Sequence, residues 1–199
     1  MMKLLSKQGL ILSLVLVVTV AAGLITTVVQ TGFFPGGTVG DGMRVQTNQV
    51  ELVIPVTGCD AQRKVDLEKK VLELVNQERS KKKLAVLKLN DKLETAAWLH
   101  SADMGCNGFF GHQSPDGSSF DKRIKRQEYT FDAAGEVIYA GAEFHNSPEE
   151  AVKAWMASAS HRKNLLKGDY SEIGVGVIYA PDSTYGGYYT VVMAHPSVP

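Results

Sequence analysis

The distribution of apolar residues divides the chain into four zones: an unbroken apolar run, a stretch rich in turn formers, a series of helical stripes, and two closing strands. The run from Gly9 to Val29 carries no charge over its 21 residues, and a helix needs about 20 to cross a bilayer. Lys3 and Lys7 lie before it, which keeps the N-terminus inside and sends the remainder out. The continuation of the run past Ala22 favours an uncleaved anchor. Val20-Ala21-Ala22 also satisfies the small-residue rule for signal-peptide cleavage. Either reading exports the rest of the chain.

Residues 31–59 read as a flexible linker, with Pro35-Gly36-Gly37 and Gly40-Asp41-Gly42 as spacers. Within it, Gln49 to Val56 has strand character, and Pro55 confines such a strand to an edge. Residues 60–199 carry the periodic patterns of a folded domain.

Leu67, Val71, Leu74 and Val75 form one stripe, predicting a helix over Asp66 to Lys82. Asn90 is suited to cap the next helix, whose inner face is Leu93, Ala96, Ala97, His100 and Met104; Gly105 and Gly108 end it. On this reading His100 is a core or boundary residue. Phe109-Phe110 anchor a loop that carries His112 into the turn Ser114-Pro115-Asp116-Gly117. Phe120 to Glu128 forms a short basic helix with Ile124 inward. Ser147, Pro148 and Glu150 mark a helix start, with Ala151, Ala154, Trp155 and Ser158 on the inner face. That helix ends near Ser160, and His161-Arg162 opens a short turn. Glu172 to Tyr179 and Tyr188 to Ala194 are strands joined by a hairpin loop over Asp182 to Gly187. Gly174 and Gly176 allow a neighbour to approach the first of them closely. Helices followed by a terminal hairpin indicate an α+β domain.

Composition adds two constraints. Lys+Arg and Asp+Glu balance at 21 each, so no net field points to nucleic acid. The chain has two cysteines; in an oxidising compartment Cys59 and Cys106 form a disulfide, or else remain two thiols. Nothing beside Cys106 lowers its pKa as a nucleophile requires.

The candidate chemistry is His112, Glu136 and His161, each flanked by Gly, Ser or Pro. Glu136 sits between Gly135 and the β-branched pair Val137-Ile138, a setting that buries it and demands a partner. That partner is a histidine or a metal, or else Arg123, Arg126 or backbone amides.

At these residues the sequence resembles the CAP superfamily (cysteine-rich secretory proteins, antigen 5 and pathogenesis-related 1), and within it the bacterial SCP-like, or YkwD-like, branch. The resemblance runs from Val65 to His195. It rests on V-N-Q-E-R at 75–79, F-F-G-H-Q-S-P-D-G at 109–117, G-E-V-I at 135–138, A-W-M-A-S-A-S-H-R-K-N-L-L at 154–166 and E-I-G-V-G-V at 172–177. It implies a three-layer α-β-α sandwich with a central antiparallel sheet. It also implies a cleft lined by histidines and acids that holds a divalent metal such as zinc in several members. By motif, His112, Glu136 and His161 occupy three cleft positions. A fourth, a glutamate in many eukaryotic members, is Ser158 here, and the usual G-E-N-I is G-E-V-I.

Three functions follow. In the first, two imidazoles and one carboxylate hold zinc at the cleft, and with one glutamate to serve as ligand or base the site hydrolyses poorly. In the second, the domain is a non-enzymatic envelope module that binds lipid, cell-wall glycan or protein, with Tyr179, Tyr185, Tyr188 and Tyr189 either an exposed aromatic surface or sheet-face tyrosines packed on a helix. In the third, the His/Glu cluster only ties segments together. A serine nucleophile at Ser158 or Ser160 lacks both an orienting acid other than Glu136 and a nucleophile elbow.

Overall fold

A computed structural model describes residues 59–197. The expected membrane segment over residues 1–30, all of the linker before Cys59, and the strand over 49–56 lie outside the described residues. Among the described residues no helix is long and apolar enough to cross a membrane.

The elements are β1 (Gln62–Arg63), α1 (Val65–Lys81), β2 (Lys88–Leu89), α2 (Asp91–Asn107), α3 (Phe120–Arg126), β3 (Phe131–Gly141), a 3₁₀ turn (Glu143–His145), α4 (Pro148–Ala157), α5 (Ala159–Leu165), β4 (Glu172–Tyr179) and β5 (Gly187–Pro196). The sheet runs β1-β4-β5-β3, antiparallel throughout, except that the two-residue β2 pairs with β4 in parallel.

Side-chain alternation along the strands makes this sheet the middle of three layers. On β5, Tyr189, Val191 and Met193 join Val71, Val75, Ala151 and Trp155 in the core under α1 and α4. Their neighbours Tyr188, Val192 and Ala194 point the other way, toward α2 and α3. The second face is closed by glycine. A Cβ on Gly174 would lie 2.0 Å from the Leu93 backbone carbon, and one on Gly176 would lie 2.2 Å from Trp98 Cα. Helix α2 therefore rests directly on β4.

The helix caps follow the sequence. Asn90 accepts from the backbone amides of Lys92 and Leu93, and Ser147 accepts from that of Glu150. Gly108 takes the left-handed conformation (φ 65°) that stops α2, whereas Gly105 lies inside the helix. The disulfide is formed: Cys59 and Cys106 are joined, 47 positions apart, with Cα atoms at 5.6 Å.

The structure adds one element and corrects two further expectations. The segment around Glu136, to which the sequence pattern assigned no element, is β3, an 11-residue strand paired with β5 along its length. Its run of Ala, Gly and buried residues lacks the alternation that would have marked it. The α4 helix ends at Ala157, and His161 lies within a second helix, α5, rather than on a turn. On α4 the buried residues are Pro148, Ala151, Val152 and Trp155; Ala154 is exposed and Ser158 is the capping residue. The two readings of the tyrosines divide: Tyr188 and Tyr189 are packed core residues, at 1% and 0% exposure, whereas Tyr179 and Tyr185 lie on the surface. These two core rings pack where the strand face meets its helices, and Tyr189 Oη satisfies itself by donating to Asn146 Oδ1 at 2.7 Å.

Candidate functional site

The site lies on β3, the end strand of the sheet among the described residues. Three separate devices bring segments to that strand. The first is α5. Asn164 Nδ2 donates to the Glu136 carbonyl at 3.0 Å, and Tyr170 Oη donates to Asn164 Oδ1 at 3.2 Å. This contact requires Gly135, since a Cβ there would stand 2.3 Å from Asn164 Oδ1 and 2.5 Å from Tyr170 Oη. His161 is one turn before Asn164 on the same helix, so the docking of Asn164 delivers it.

The second device is Arg79, fully buried on α1. Its guanidinium donates to the carbonyls of Ala85, Leu165, Lys167 and Tyr170 at 2.8 to 3.3 Å. The end of α5 and the loop after it are thereby fixed to the domain. The buried charge is tolerated because several carbonyls solvate it.

The third is Arg123 on α3, which holds the loop carrying His112. Its two terminal nitrogens donate to the His112 carbonyl, both at 3.1 Å, and Nη1 also donates to the Ser118 carbonyl at 3.0 Å. Ser114 and Ser118 close the turn between them, with Gly117 at φ 77°. The loop is therefore rigid where it presents His112.

Glu136 is 5% exposed and stands at the centre. Its Oε2 accepts from Arg123 Nη2 at 2.7 Å, and its Oε1 lies 2.9 Å from His112 Nδ1. A carboxylate that accepts from a guanidinium has acceptors to offer, so Nδ1–H of His112 is the donor. In the neutral ring Nε2 then keeps its lone pair, and the His112 side chain is about half exposed. His161 is half-buried, and among the described residues its ring makes no hydrogen bond. Burial and then the neighbouring His112 hold its pKa below the ordinary histidine value.

A third histidine stands behind them. His100 is fully buried on α2, as its place among Ala96, Ala97 and Met104 predicts. Its Nε2 lies 3.0 Å from the Gly111 carbonyl and 4.0 Å from Glu136 Oε1, and Ser114 Oγ lies 3.4 Å from Nδ1. Burial first, and Arg123 after it, outweigh Glu136 and lower its pKa. Its part in the site comes from the packing of α2 on β4 and β5, which brings it within 4.0 Å of Glu136 and which no local pattern encodes.

Ser158 is not drawn into this network. It joins α4 to α5, and its Oγ meets Ser160 Oγ at 3.2 Å.

Both Glu136 oxygens are thus occupied, and a guanidinium sits against one of them. Among the described residues no group of three His, Cys, Asp or Glu side chains is placed to hold a metal ion. The donor set does not fit a three-ligand centre built from His112, Glu136 and His161. What the geometry does place together is the His112 imidazole and the carboxylate behind it. Carboxylates in that position orient a ligating histidine and raise its basicity.

The sequence model of the CAP domain, described as the cysteine-rich secretory protein family, matches residues 72–194. The Bacillus subtilis protein YkwD is 45% identical over 112 residues, 56% of this chain and 42% of that protein. The Bacillus subtilis membrane protein YlbC is 38% identical over 110 residues, 55% of this chain and 31% of that one. An extracellular protein of Bacillus anthracis containing an SCP domain superposes with a TM-score of 0.58 at 30% identity, covering 66% of this chain and 41% of that chain. The chain thus spans less than half the length of each of these proteins.

Proposed function

The chain belongs to the CAP family of cysteine-rich secretory proteins, and from that premise we propose that it is an extracytoplasmic binding module of the cell envelope with a cleft that takes a divalent metal weakly. His112, through Nε2, and His161 are the ligands, and Glu136 is the group that holds the His112 ring. The observation that carries this reading is the 2.9 Å contact between Glu136 Oε1 and His112 Nδ1. It leaves one imidazole lone pair free and spends the carboxylate that a hydrolase would use as base.

Location outside the cytoplasm is supported by the extracellular SCP protein of Bacillus anthracis, and by a disulfide, which persists in oxidising compartments. The apolar run over residues 9–29 supports tethering, with cleavage near Ala22 as the other route to export. A bound zinc would supply Lewis acidity to whatever acceptor group enters the cleft. Without a free carboxylate no efficient hydrolysis follows, so binding is the better-supported role. The partner is then a lipid, a cell-wall glycan or a protein.

The imidazole resonances of the full-length protein test the ligand assignment. Adding zinc shifts His112 and His161 together and saturably and leaves His100 and His145 in place. A cleft whose two imidazoles do not move on adding zinc is a structural network only.

A further inference from the structure

A cavity of about 580 Å³ opens on the other side of the His112 loop, between α2, the Ser114–Ser118 turn and α3. This is within the usual range for small-molecule sites. We propose that it binds a short peptide with free amino and carboxyl ends, its ammonium on Asp103, its carboxylate on Arg126 and its apolar side chain against Ala96 and Leu99. The proposal does not rest on the metal reading.

The lining carries charges of both signs. Asp103 and Asp116 face Arg123 and Arg126, so a polyanion such as a nucleotide gains nothing net. An uncharged lipid would bury these groups unpaired. Asp103 accepts from Asn107 Nδ2 at 2.6 Å, and among the described residues no cation lies within ion-pair distance of it. An ammonium completes it. Arg126, also in the lining, makes a single contact with Asp116, at 3.2 Å with both side chains more than half exposed. Its other donors remain for a carboxylate.

The back wall favours an amide over a lone amino acid. Arg123 lines the cavity, and its Nε is a buried side-chain nitrogen with no hydrogen-bond partner. Such an orphan costs stability until an acceptor meets it. Nε is closed to solvent, so a peptide carbonyl supplies one as the Arg123 side chain shifts toward the cavity. Leu99, 41% exposed, gives the apolar side chain its surface.

The test uses the dipeptide Ala-Leu, its N-acetylated form and its C-terminal amide, followed by backbone amide shifts of the full-length protein. Saturable shifts at Leu99, Asp103 and Gln127 are expected with Ala-Leu. Blocking either end weakens binding roughly tenfold, the loss of one charged contact. Asp103→Asn removes the penalty for acetylation and Arg126→Gln removes the penalty for amidation; both residues lie on the rim, so both variants fold. His161→Ala binds like the wild type. The absence of saturable shifts with the dipeptide at about 10 mM, equal binding of all three peptides, or shifts confined to His112 and His161 would overturn the proposal.

Discussion

Glu136 and His112, 24 positions apart in sequence, meet at 2.9 Å beside strand β3, with Arg123 closing the other side of the carboxylate at 2.7 Å. Removing one member of a buried ion pair strands the other, at about 3 to 5 kcal/mol. Glu136→Gln leaves Arg123 as the uncompensated charge and lowers stability by about 3 kcal/mol. Urea unfolding measures this. A change within about 0.5 kcal/mol would mean that the pair is not buried in solution.

Gly135 and Gly174 make opposite demands on their neighbours. At Gly135 an added Cβ meets side-chain atoms of Asn164 and Tyr170; at Gly174 it meets backbone of α2. Gly135→Ala therefore folds with a loss of about 1 to 3 kcal/mol and a displaced α5. Gly174→Ala fails to fold, because the α2 backbone has no rotamer by which to yield. Circular dichroism of both variants checks the order; equal stabilities would contradict it.

His100 makes the fold sensitive to acid. An unfolded histidine takes its proton near pH 6.5, whereas burial keeps the folded ring neutral to a lower pH. The unfolded state then binds more protons, so stability falls as the pH drops below about 6.5, at up to about 1.4 kcal/mol per pH unit until the folded ring also protonates. His100→Asn is less stable at pH 7 but loses less stability between pH 7 and pH 5.5. Parallel pH profiles of the two proteins would remove His100 from this role.

The disulfide closes a loop of 47 positions in sequence separation, for which the chain-entropy model gives about 4 kcal/mol. Cys59→Ser/Cys106→Ser should lose about that amount in urea unfolding. A loss below about 1 kcal/mol would mean that the residues around Cys59 gain nothing from being tied to α2.

Much of this architecture was legible in the sequence because local chemistry specifies it. Asn90, Gly108 and Ser147 mark helix ends, and Gly174 and Gly176 announce a close approach on β4. The motif residues His112 and Glu136 do meet, and Arg123, one of the residues considered as a partner of Glu136, is bonded to it. Strand β3 was not legible, since it is buried on both faces around Glu136 and rich in Ala and Gly, so no period of two survives. Arg79 reads as the polar end of a helix. Its four carbonyl partners lie 6 to 91 positions away, and only the folded chain gathers them. Tyr188 and Tyr189 stayed open between surface and core because tyrosine suits both, and here the helices cover both sides of β5.

The central claim is that two imidazoles, with a carboxylate behind one of them, form a weak metal site. Calorimetric titration of zinc into the full-length protein tests it most directly, with wild type beside His112→Ala, His161→Ala and Glu136→Gln. The account predicts saturable binding in the wild type, its loss in both histidine variants, and a weakening of roughly 10- to 100-fold in Glu136→Gln. No binding in the wild type, or binding that survives both histidine substitutions, would contradict it and leave the His112–Glu136–Arg123 cluster as a tie between segments.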